Sequence, residues 1–173
     1  MITVQKSFDT EDYKDNQKAF EALKGLFKFL YPVLRNEDYG VDVAIYNGLS
    51  AYRKNAEPLA YLELEVKHNW KGEIFPFEDV QFLAKKHKFA KLELPTYWVL
   101  FNSDCTECGI IPMRRILVCD LDIVNCRGIG EDYFYRIPRN QMVWGKTKVE
   151  RFLIHDSFQA LKNEHKRFIE PIY

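Results

Sequence analysis

The chain has 173 residues, 47% of them hydrophobic and 29% charged, and its 25 basic and 25 acidic side chains balance to a formal net charge of zero. That composition fits one globular domain and excludes a disordered chain, a strongly basic histone-like binder and an acidic solvating tail. No apolar run approaches the length of a membrane span, so no membrane partner is expected.

The opening MITVQKSFDTEDYKD is polar and acidic. It resembles neither a signal peptide nor a transit peptide, so the chain is read as intracellular and cytoplasmic. Apolar residues then recur at three- and four-residue steps (Ala19, Leu23, Leu26, Leu30) and predict a helix from about Asp12 to Leu30, with Pro32 marking its end. Tyr39 to Tyr46 is a β-branched run closed by the turn pair Asn47-Gly48. Leu59 to His68 reads as a second strand. A helix is expected from Phe77 to about Leu92, with Val80, Leu83, Ala84 and His87 on one face. Tyr97–Asn102 and Arg115–Val124 read as strands, and FYRI with QMVWG as a hairpin around Pro138-Arg139-Asn140. A last helix is expected from Val149 to Ile169. This mixed order predicts an α/β domain with a central mixed sheet flanked by helices.

The informative feature lies on the second strand. Side chains alternate faces along a strand, so Leu62, Leu64 and Val66 point to the core while Glu63, Glu65 and Lys67 point the other way. Carboxylates on an otherwise apolar strand are costly to bury without partners. The preceding run, Val41-Asp42-Val43-Ala44-Ile45, also carries an acid where strand propensity disfavours one. Such local conflicts point to a functional site. If the two strands pair, Asp42 and Glu65 converge. Carboxylates and a backbone carbonyl suit Mg²⁺, a hard cation. Such an ion lowers the pKa of its water and polarises a phosphoryl oxygen. Lys67 beside it would orient the water or stabilise charge in the transition state.

Asp42, followed 23 residues later by Glu65-Val66-Lys67, resembles the signature of the PD-(D/E)xK nuclease superfamily. The local form YGVDVAIY…LELEVKH is similar to small members such as archaeal Holliday-junction resolvases and virus-encoded nucleases. The resemblance covers about Asp12 to Asn102. It implies a restriction-endonuclease-like core of helix, three strands, helix and strand, with extra C-terminal strands and a helix. It implies an Mg²⁺-dependent DNA endonuclease, with Mn²⁺ able to substitute. Asp42, Glu65 and the Val66 carbonyl would hold the metal, and Lys67 would assist the attacking water. The position named for proline holds Val41 here. For the first-helix acid that many members carry, Glu21 matches by position but points away from the apolar face, whereas Asp15 or Asn16 has better phase. Gln81 matches a helix glutamine of some members. Together with Lys85 and Lys88 it is a candidate for binding substrate. Members that cut both strands are often dimers, which by analogy favours a homodimer.

A different class remains open: a catalytically inactive nucleic-acid- or protein-binding module on the same fold. The four cysteines are read chiefly as buried or free thiols in a reducing compartment. The alternative is Zn²⁺ held by Cys105, Cys108, Cys119 and Cys126, and with it a zinc-stabilised structural protein. Glu63 is read as a neighbour of the site or as plainly exposed. His68 faces away from Lys67 and reads as structural. Trp70, Phe75 and Phe77 line the loop after the second strand; stacking on bases is the alternative, but they read as core.

Overall fold

A computed structural model describes residues 10–35, 40–126, 128 and 130–169. The chain runs through α1 (Thr10–Leu26), β1 (Tyr31–Leu34), β2 (Val43–Tyr46), α2 (Leu49–Arg53), β3 (Ala60–Lys67) and β4 (Asp79–Leu83). A 3-10 segment (Ala84–Lys91) leads to β5 (Thr96–Asn102), β6 (Cys108–Pro112) and α3 (Met113–Ile116). Then come β7 (Asp120–Cys126), β8 (Gly130–Pro138), β9 (Val143–Trp144) and α4 (Lys146–Ile169).

Six strands form a mixed sheet in the order β1-β2-β3-β5-β6-β9. Only β3 and β5 run parallel; the other neighbours are antiparallel. β5 lies at the centre, and its sequence TYWVLFN is buried at every position. That suits a strand covered on both faces. One face packs Leu62, Leu64, Tyr97, Val99 and Phe101 against α1 (Ala19, Leu23) and α4 (Val149, Leu153). The other packs Trp98, Leu100 and Ile111 against β4, β8, α3 and the 3-10 segment, through Val80, Phe82, Phe89, Met113 and Ile137.

Two polar anchors fix α4. The Glu150 carboxylate accepts the backbone N–H groups of Lys28, Phe29 and Leu30 at 2.7–3.0 Å, which ties the α1–β1 turn to α4. Asp156 accepts the Tyr97 hydroxyl at 2.7 Å and the Arg114 guanidinium at 2.8 and 2.9 Å, which ties α4 to β5 and α3.

Several sequence expectations are corrected. The helix expected over Phe77–Leu92 is instead β4 followed by the 3-10 segment. The stretch satisfies two periodicities, and tertiary pairing selects the two-residue one: Val80 meets Ile137 and Phe82 meets Tyr135 on β8, inside the second core cluster. α1 stops at Leu26, and Pro32 lies within β1, an edge strand that tolerates proline. The strand expected over Arg115–Val124 divides into α3 and β7. The expected FYRI–QMVWG hairpin does not form: β8 pairs with β4 and β7, while β9 pairs with β6 in the other sheet. Tyr39, the expected start of a strand, lies outside the described residues.

Candidate functional site

β2 and β3 pair antiparallel, with Val43 opposite Leu62, so the next step beyond β2 would set Asp42 opposite Glu63. Asp42 instead leaves the strand and turns its side chain onto the backbone edge of β3. Its Oδ2 accepts the Leu64 N–H at 2.7 Å, and its Oδ1 accepts the Asn16 side-chain amide of α1 at 3.2 Å. The carboxylate thus takes over a donor that β2 no longer reaches. Alternate residues of a strand turn their backbone groups to the same neighbour, so the Val66 carbonyl points to the edge of β3 that Asp42 occupies.

Glu63 is the most buried acid here, at 5% exposure. Its Oε1 pairs with Lys86 Nζ at 2.7 Å, while its Oε2 is buried and receives no donor among the described residues. Burial pushes the Glu63 carboxyl up. Lys86 pulls it back, Asp42 and Glu65 push it further, and it settles at about 7. Burial raises Asp42 as well, partly offset by the Leu64 N–H, by Lys86 and by a Glu63 carboxyl close enough to share a proton with it. Burial lowers the Lys86 ammonium, but Glu63, Glu65 and Asp42 outweigh it and the net shift is upward. Glu65, two residues along the same face, pairs with Lys67 at 2.7 Å, and both side chains are 26% exposed.

The sequence-predicted residues therefore divide. Asp42, Glu65, Val66 and Lys67 come to one end of β3. Asn16 is the first-helix residue that reaches Asp42. Asp15 pairs with His68 at 2.6 Å, and Glu21 sits on the surface beside Lys24. Gln81, on β4, lines a cleft of about 400 Å³ with Lys67, Asp79, Asp122 and Arg136. The expected common face of Gln81, Lys85 and Lys88 does not form, because Gln81 is in a strand. In the 3-10 segment the eclipsing step is three residues, so Lys85, Lys88 and Lys91 share one side and Lys86 and Phe89 another. Lys88 stands over the Phe89 ring, 5.1 Å from its centroid, and borders a second cleft with Arg35 and Tyr61.

Sequence reasoning saw Glu63 only as a neighbour of the site or as exposed, and gave Lys86 no role there. The signal for Glu63 was its phase, two residues before Glu65 on the same face. Nothing local marks Lys86 apart from its neighbours, because the three-residue step that turns it inward is a tertiary outcome.

The thiols are spread over the molecule. Cys108 belongs to the core cluster under α1 and α4 and Cys105 packs against it, Cys119 adjoins the cluster on the opposite face, and Cys126 ends β7. Burial raises the Cys108 thiol to about 12. Among the described residues, no three His, Cys, Asp or Glu side chains are gathered tightly enough to hold a metal as they stand, and none of their helices is long and apolar enough to cross a membrane. The donor chemistry at β3 nevertheless fits a hard divalent cation: anionic oxygens, a carbonyl and a buried carboxylate oxygen without a donor. Comparison of the chain with protein-family models, with curated proteins and with solved structures finds no match.

Proposed function

We propose that this chain is an Mg²⁺-dependent DNA endonuclease of the PD-(D/E)xK type. One observation carries the reading: the Asp42 carboxylate, 2.7 Å from the Leu64 N–H, lies against the backbone edge of β3, the strand whose one face carries Glu63, Glu65 and Lys67. Element order adds support. A helix precedes three successive neighbouring strands, and the next strand of the same sheet runs parallel to the third. The crossover between them departs from the family pattern, since β4 and a 3-10 segment replace its helix.

In this reading Asp42, Glu65 and the Val66 carbonyl hold the cation. Mg²⁺ supplies a polarised phosphoryl oxygen and a water of lowered pKa. Asn16 fixes the Asp42 rotamer through its amide. Lys67, released from Glu65, orients the water or stabilises the charge that builds on the phosphate. Gln81 and Arg136 line the cleft next to Lys67 and provide donors for the strand's phosphates.

The test is cleavage of plasmid, single-stranded and branched DNA with Mg²⁺ or Mn²⁺. Glu65→Ala is expected to lower the rate by at least about 100-fold, since loss of a metal ligand removes several kcal/mol of transition-state stabilisation. Cleavage at the wild-type rate by this variant would remove Glu65 from the site. A second reading, an inactive binding module on the same fold, is favoured by the ion pairs that already neutralise Glu63 and Glu65. Under it, DNA binds without being cut and millimolar Mn²⁺ does not bind.

A further inference from the structure

Lys86 differs from the other lysines of its segment. Lys85 and Lys88 are exposed, whereas Lys86 turns inward, where its Nζ stands 2.7 Å from Glu63 Oε1. It lies within the fields of Asp42, Glu63 and Glu65 together. The Glu63 side chain is 7% exposed, and its second oxygen is buried without a donor. When ionised, a carboxylate buried in this way requires a cation, because an uncompensated charge there is strongly destabilising.

The geometry points to Lys86 as a tethered cation that occupies the acidic centre of the metal-free protein and is displaced when a divalent cation binds. The inference rests on the reading of that centre as a cation site, and adds to it how the site is guarded. The ammonium sits on Glu63 within the field of Asp42 and Glu65, so a metal ion held by those two acids competes with it for the same negative charge. A divalent ion brings twice the charge to the three acids. Lys86 is 29% exposed and carries its charge on a flexible four-carbon stem, so the ammonium has a way out. Displacement also accounts for acids that are near one another yet not gathered as metal ligands, since Lys86 holds Glu63 and Lys67 holds Glu65.

Two measurements test this on the full chain. In the first, amine acylation of the wild type is mapped by peptide mass, with chelator and with Mn²⁺. Lys86 is expected to be protected without metal and to become several-fold more reactive with it, while Lys85 and Lys88 stay constant. In the second, calorimetry measures Mn²⁺ affinity for Lys86→Met and Lys86→Gln. About tenfold tighter binding than wild type is expected, with a Tm below wild type in chelator that Mn²⁺ restores. Lys86 labelling that ignores Mn²⁺, or no tightening in either variant, overturns the inference. So does absence of Mn²⁺ binding at millimolar concentration. The two readings separate: Mn²⁺-dependent labelling without DNA cleavage sinks the nuclease and spares the displacement. Mn²⁺-dependent cleavage with unchanged labelling does the reverse.

Discussion

Glu63 shows how burial sets the chemistry of a single residue. Its carboxyl rises from the ordinary 4.5 to about 7, chiefly through desolvation, and Asp42 rises with it. Between those two values the folded protein holds more protons on Glu63 than the unfolded chain does. Stability therefore falls as pH rises through that window. In chelator, the wild type is expected to have a higher Tm near pH 5 than near pH 8. Glu63→Gln should flatten that profile, because an amide does not titrate. A profile that keeps its slope in the variant would move the proton to another group. The sequence made Glu63 visible as a neighbour of Glu65, but not as the most buried acid of the group. Exposure depends on what packs over the strand, and that is the 3-10 segment more than twenty residues further on.

The 3-10 segment is where an element-level rule and the fold disagree most. Val80, Leu83, Ala84 and His87 carry the spacing of a helix face, while Val80 and Phe82 with exposed Gln81 between them carry that of a strand. β8 supplies a pairing partner, and the backbone hydrogen bonds of a ladder settle the competition in favour of β4. What remains winds with a three-residue repeat, which lines up Lys85, Lys88 and Lys91 and separates them from Gln81. If that stripe meets a phosphate backbone, a triple Lys→Ala variant at 85, 88 and 91 should weaken DNA binding for all sequences alike. The log–log salt slope should shrink by about 0.9 for each phosphate that is no longer neutralised. Gln81→Ala lies in the Lys67 cleft and should leave that slope unchanged. Equal slopes for the triple variant and the wild type would take the stripe out of the interface.

At the scale of the molecule, the site depends on a sheet clamped between unlike layers. Helices α1 and α4 cover one face, and the smaller sheet with the 3-10 segment covers the face that bears the acids. Glu150 joins α4 to the turn after α1, and α1 in turn supplies Asn16 to Asp42. Glu150→Ala removes a charged acceptor from three backbone N–H groups at a partly exposed site. It is expected to cost about 2 kcal/mol, with Glu150→Gln intermediate because the amide keeps one acceptor oxygen. Chemical denaturation measures this directly, and an unchanged midpoint would mean water replaces the carboxylate without loss. The net charge of zero is a property of the whole chain and says little about the site, where the three acids and two lysines are set by strand phase and packing.

By itself the sequence determined the mixed α/β character, the apolar face of β3, the strand over Tyr97–Asn102 and the approach of Asp42 to the strand that carries Glu65. All of these follow from periodicity along a single element or between two elements adjacent in the chain. Only the tertiary structure decided that residues 79–83 pair as a strand, that β6 and β9 complete the sheet, and that Lys86 rather than Lys85 reaches the acids. Those outcomes depend on partners distant in sequence, where the free energy of a pairing or of a buried ion pair overrides a weak local preference.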